Sequence, residues 1–218
     1  MDFDDAVREA ARRAQEATAL TMKNFSLSNV VDEDDITGHL AGTLSAKLSG
    51  EIEGLTWDTK VLRHRSGKAG QEKAFGADLL LHVRFDTPER TYSKGVLVQS
   101  KRVEPSISMS LSEHVRLVQQ CKVMLGHTPA AFVFDYTRKD MRVGAAVRIA
   151  GTNFRELYSE CTLTSYRFFR LLFECPIGDS RITPQLVDSH LDLVRGADAA
   201  PIVVDISAKS SIERRRRR

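Results

Sequence analysis

Four residues have the types and spacing to do chemistry together: Glu33, Asp78, Gln99 and Lys101. Asp78 opens the apolar run DLLLHVRF, and Gln99 and Lys101 close the run GVLVQSK. Runs of this kind read as strands. The polar stretch with Pro88 between them reads as a turn, so the two form a β-hairpin. Folding residue 78 onto residue 101 puts the midpoint between Glu89 and Arg90, inside that turn. Allowing a slip of a residue or two, Asp78 lies beside Gln99 and Lys101. Residues two apart share a strand face, so Gln99 and Lys101 project together. A helix over 33–49 brings Glu33 in line with the apolar stripe Ile36, Leu40, Leu44 and Leu48, and hence toward whatever that helix packs on. Packed on the hairpin, it completes a set of three oxygen ligands beside an ammonium. Such a set suits a hard cation, Mg²⁺ or in its place Mn²⁺. The lysine orients or helps deprotonate a water, or neutralises charge building on a phosphate. Together these are the minimum for metal-assisted hydrolysis of a phosphodiester. A plainer reading is a polar cluster at strand ends. The run Asp32 to Asp35 (DEDD) also offers Asp34 and Asp35 as substitutes for Glu33, and all four acids suit a helix N-terminus.

The elements that must position these residues follow from periodicity and punctuation. Residues 2–23 read as a helix with a thin stripe of Phe3, Val7, Ala10 and Ala14, suited to a docked surface helix or a partner contact. Asp32 caps the helix over 33–49 and Gly50 stops it. A short strand covers 55–62, and RHRSGKAGQEK (63–73) is a polar loop. After the hairpin come a helix over 108–125, with Leu111, Val115, Val118, Cys121 and Leu125 on one side, and strands over 130–136 and 143–149. Helices follow near 152–160, 165–174 and 184–195, the last opened by Pro184. Pro201 to Ile206 forms a short closing strand. The order predicts an α/β protein with helices on a mixed sheet around one core. Its parts are an N-terminal helix (1–29), an α/β domain (30–206) and a basic disordered tail (207–218).

Glu33 in a leading helix, then FGADLLLHV, then GVLVQSKR, resembles the PD-(D/E)xK nuclease superfamily, the restriction-endonuclease-like fold. The likeness covers about residues 30–136. It implies that Glu33 is the helical acid, Asp78 the metal-binding aspartate, and Gln99 with Lys101 the (D/E)xK pair. Ala77 stands where the motif has proline. Gln99 replaces an acid, as in the Q-x-K variants; it keeps a carbonyl ligand, removes a negative charge and weakens the case for two metals. The resemblance implies a Mg²⁺-dependent endonuclease acting on DNA, with RNA as the other substrate, in a setting such as bacterial restriction or anti-phage defence. The alternative is a catalytically inactive nuclease-fold subunit that binds nucleic acid or scaffolds a complex.

The chain has 218 residues, 42% hydrophobic and 28% charged, enough to bury a core. Net charge is +3, yet Arg214 to Arg218 supply more than all of it and leave a body of −2. Any cationic nucleic-acid surface therefore comes from local arrangement. Arg63, Arg65 and Lys68 in the polar loop, and Arg102 after the active lysine, are the candidates for phosphate contact. His82 shares the face of Asp78 but lies too far along the strand to be a ligand, and reads as a core histidine. Three cysteines (Cys121, Cys161, Cys175) read as buried small hydrophobes. With no disulfide framework and an acidic, polar start, the expected compartment is the cytoplasm. No apolar run reaches the ~18 residues of a membrane span. The absence of a recognisable DNA-reading module points to a protein partner or a homodimer as the source of specificity.

Overall fold

A computed structural model describes residues 2–63, 76–187 and 202–210. In chain order the elements are α1 (Phe3–Ser26), α2 (Glu33–Lys47), β1 (Gly50–Ile52), β2 (Leu55–Arg63), β3 (Leu79–Asp86) and β4 (Thr91–Lys101). Then follow α3 (Leu111–His127), β5 (Ala131–Tyr136), β6 (Met141–Ala145), α4 (Ala146–Ala150), α5 (Leu157–Glu160), β7 (Leu163–Thr164), α6 (Ser165–Glu174) and β8 (Ile202–Ser210). The eight strands form one mixed sheet in the order β1-β2-β8-β3-β4-β5-β6-β7, with parallel pairs at β8–β3 and β4–β5. The mixed α/β class is therefore as the sequence pattern predicts.

The alternation of β3 and β4 divides the core in two. Leu79, Leu81, Val83, Phe85, Val96 and Val98 meet the buried faces of α1, α2 and α6. Leu80 and Leu97 meet Leu117 and Cys121 of α3 on the other side. Helix α1 is part of this core and not an appendage: Ala6, Ala10, Ala14 and Ala17 are fully buried, and their small side chains let it approach α2 and α6 closely. Glu53 and Gly54 take positive φ in the two-residue turn between β1 and β2, the conformation a tight hairpin requires.

The hairpin is shorter at its tip than expected. Thr87 N–H donates to the Arg90 carbonyl at 3.0 Å, closing a four-residue turn, and β4 begins at Thr91. Leu79 therefore pairs with Val98, which sets Asp78 opposite Gln99 instead of Lys101. That is a two-residue slip, which keeps every side chain on its face.

Several expectations are corrected. The closing strand runs on to Ser210 in the middle of the sheet, with Ser207 and Ala208 buried, so residues 207–210 do not belong to a tail. The strand over 143–149 ends at Ala145, and α4 takes its place. Helix 152–160 is reduced to α5. In α3 the buried side is His114, Leu117, Cys121 and Met124, whereas Leu111 and Val115 are exposed. Its capping box is closed by Ser110 and Glu113. Cys175 is not buried but exposed, at the C-terminal cap of α6, where its backbone is left-handed with φ +85°. Residues 184–187 are helical, and the expected helix beyond 187 lies outside the described residues, as do 211–218. Among the described residues no helix is long and apolar enough to cross a membrane.

Candidate functional site

Strand ends bring the chemistry together. Asp78 immediately precedes β3, and its N–H donates to the Val98 carbonyl at 2.9 Å, extending the ladder by one residue. Its Oδ2 accepts from the Ser100 N–H at 2.7 Å and from Gln99 Nε2 at 2.6 Å. Gln99 Nε2 also donates to the Ser100 carbonyl at 3.2 Å. Both neighbours of Nε2 are acceptors, so the amide has one sensible orientation, with nitrogen toward Asp78. Its oxygen is left over. Gln99 is 2% exposed and Oε1 has no hydrogen-bond partner among the described residues. A buried amide oxygen without a donor costs about 1–3 kcal/mol, and a hard cation would satisfy it.

Lys101, two residues on, lies on the same face. Its Nζ donates to Glu33 Oε2 at 3.2 Å, the lysine side chain being 14% exposed and the glutamate 38%. Glu33 reaches it in an unexpected way. Helix α2 packs on α1 and, against the sheet, on β2, β8 and the Ser100 face of β4, the face opposite Gln99 and Lys101. Glu33 opens the helix beyond its apolar stripe and meets Lys101 around the end of the strand.

A recess of about 400 Å³ collects Glu33, Asp78, Gln99 and Lys101, with Asp32 and Asp34 from the start of α2. Arg102 and Arg116 complete its wall. Four carboxylates against three cations leave a net charge of −1, and one divalent ion would turn this to +1, the sign that attracts a phosphodiester. Among the described residues no three of His, Cys, Asp or Glu gather closely enough to hold a metal by themselves. The recess does hold carboxylates and one side-chain amide, the donor types that hard cations take.

No protein-family model matches this chain, and no curated protein matches it.

The phosphate-contact candidates fall differently. Arg102 lines the recess, but its guanidinium donates to the Val31 carbonyl and lies over the Phe25 ring. Arg63 ends β2, while Arg65 and Lys68 lie outside the described residues. His82 is fully buried, with Nδ1 2.6 Å from Asp205 and Nε2 2.8 Å from Ser93, and it takes no part in the recess. Burial pushes the Cys121 thiol up to about 12, so it is no nucleophile at neutral pH.

Three features escaped the reading of the sequence. Arg116 shares the recess, a position that required knowing which side of α3 faces the sheet. Asp135, at the end of β5, pairs in register with Lys101 and is fully buried. Its Oδ1 accepts from the Val103 N–H at 2.9 Å, fixing the chain where it leaves β4, and Oδ2 has no partner among the described residues. Burial pushes its carboxyl up to about 7, against the Val103 hydrogen bond and assisted by the nearby carboxylates of Glu104, Asp140 and Glu33. In the sequence it is one polar letter inside AFVFDY. The third is a buried hydroxyl cluster behind the site, at Thr37, Ser100 and Tyr136.

Proposed function

We propose that this chain is a metal-dependent nuclease of the restriction-endonuclease-like kind, a Q-x-K member of the PD-(D/E)xK group, that hydrolyses phosphodiester bonds in DNA. The observation that carries this reading is the convergence of Asp78, Gln99, Lys101 and Glu33 on one recess, together with a Gln99 side-chain oxygen that is buried and has no hydrogen-bond partner among the described residues. Asp78, Glu33 and the Gln99 carbonyl would hold Mg²⁺, which when bound supplies Lewis-acid stabilisation of the phosphoryl oxygens. Asp78 is held in place by two N–H donors, so its carboxylate is set before any ligand arrives. The Lys101 ammonium is largely sheltered from solvent. It donates to the attacking water or to a non-bridging oxygen, offsetting charge as a fifth oxygen joins phosphorus and the bridging oxygen departs. Arg116 and Arg102 stand at the rim, where cations draw the phosphate backbone in.

A second reading has its own support. The Gln99 amide satisfies Asp78, and Lys101 satisfies Glu33, without any added group. Such a self-paired site suits a catalytically silent subunit that binds nucleic acid or scaffolds a complex. Plasmid cleavage with Mg²⁺ or Mn²⁺ separates the two. The nuclease reading expects cleavage by the wild type and a loss of at least about a hundredfold in Lys101→Ala and Asp78→Ala. Cleavage that survives both substitutions overturns the site, and absent cleavage with DNA binding retained supports the silent subunit.

A further inference from the structure

Directly behind the recess, three hydroxyls from three elements meet in the interior: Thr37 of α2, Ser100 of β4 and Tyr136 of β5. Thr37 and Ser100 are 1% exposed and Tyr136 is fully buried. Thr37 Oγ1 lies 2.9 Å from Ser100 Oγ and 3.2 Å from the Tyr136 hydroxyl, and Ser100 Oγ lies 3.3 Å from the Tyr136 hydroxyl. Thr37 Oγ1 is also 2.8 Å from the backbone carbonyl of Glu33. Each hydroxyl has one proton to give, while a carbonyl can only accept. Thr37 Oγ1 is the donor to both the Glu33 carbonyl and Ser100 Oγ, so its one proton is shared between them, while the Tyr136 hydroxyl contacts both Thr37 and Ser100. Burial pushes the Tyr136 phenol up to about 12, so it remains a donor across the working pH range.

The placement matters because Ser100 sits between Gln99 and Lys101. Its neighbours project into the recess while Ser100 projects into the hydroxyl cluster, so one three-residue piece of strand serves both sides of the sheet. We propose that Thr37, Ser100 and Tyr136 are positioning residues. They form a buried latch that locks the first turn of α2 to the strand carrying Gln99 and Lys101, and so holds Glu33 in reach of the metal position and of Lys101. This rests on the metal-site reading above and extends it to residues that touch neither ion nor substrate. Outer partners of a ligand set commonly govern affinity in this way.

The test compares Thr37→Val, which keeps the shape and removes the hydroxyl, with Thr37→Ser, which keeps the hydroxyl, and with Tyr136→Phe. Two quantities are measured: Mn²⁺ affinity by calorimetry, and amide hydrogen exchange in the first turns of α2, residues 36–40. Thr37→Val and Tyr136→Phe should each weaken Mn²⁺ binding by about tenfold or more and speed exchange in that turn. Thr37→Ser should stay within about twofold of the wild type on the same scale. Wild-type Mn²⁺ affinity in Thr37→Val and Tyr136→Phe overturns the latch, as does a Thr37→Ser variant as impaired as Thr37→Val. If the wild type itself binds no Mn²⁺, the metal-site reading fails and the exchange measurement decides alone. Faster exchange in both hydroxyl-free variants then upholds the latch, and unchanged exchange overturns it. Should Thr37→Val fail to fold, Tyr136→Phe carries the comparison.

Discussion

Replacing Asp135 by Asn should change how the stability of the protein depends on pH. The carboxyl is fully buried, and its pKa rises from the ordinary 3.8 to about 7, chiefly because burial penalises the charged form. An acid raised on folding holds its proton more tightly in the native state than in the unfolded chain. Its contribution is intact below pH 4 and is lost as pH climbs toward and past 7. At 1.36 kcal/mol per pH unit, the full loss is about 4 kcal/mol, and about 3 kcal/mol of it falls between pH 5 and pH 8.5. Asn is neutral throughout and keeps an oxygen for the Val103 N–H. Other carboxylates shift the opposite way, such as Asp179, held well below its usual range by its hydrogen bond from Arg181, but they are common to both proteins and cancel. Urea unfolding of wild type and Asp135→Asn at pH 5.0 and pH 8.5 measures the difference. The variant should gain about 3 kcal/mol on the wild type between the two conditions. An unchanging gap would show that the carboxyl does not titrate near neutrality, and the burial argument would be wrong.

Two further outcomes follow from the geometry. Gln99→Glu should tighten Mn²⁺ binding by about tenfold, because it restores a charged oxygen ligand, and should destabilise the metal-free protein by setting two carboxylates where the Asp78–Gln99 hydrogen bond now lies. Calorimetry with thermal melts checks both, and weaker metal binding would count against Gln99 as a ligand. Gly76→Ala should destabilise by about 1–3 kcal/mol in denaturant unfolding. Gly76 has φ +69°, and a Cβ there would lie 2.6 Å from the Gln120 backbone carbonyl, so a neutral result would contradict the close approach of the Asp78 approach segment to α3.

What was legible in the sequence was local. The hairpin, the strand-end position of Asp78, and the pairing of Gln99 with Lys101 on one face follow from period-2 alternation and a polar turn. Helix α2 and its start after Asp32 follow from a four-residue repeat and punctuation, but the Asp32 side chain makes no capping hydrogen bond, and the helix ends at Lys47 with Gly50 already in β1. The rest depended on distant parts of the chain. The side of α3 that packs cannot be read where Leu111 and Val115 are as apolar as the buried Leu117 and Met124. The burial of Asp135 follows only from its place between β4 and β6. Glu33 reaches Lys101 by a route that its apolar stripe does not show, because its helix packs on the other face and the contact is made around the strand end. The hydroxyl latch left no local pattern, since Thr37, Ser100 and Tyr136 are ordinary residues until three elements converge.

The position of β8 has a consequence for how the chain assembles. Leu55 of β2 pairs with Ser210, and Leu79 of β3 pairs with Ile202, so the ladder at the middle of the sheet waits for one of the most distant segments to arrive. Closing such long loops is entropically slow, and until it happens β2 and β3 each present a bare edge to the other and to neighbouring molecules. The β3–β4 hairpin can form early from nearby residues. Its support on one flank cannot, which makes the wedge strand the step that commits this molecule to its native shape.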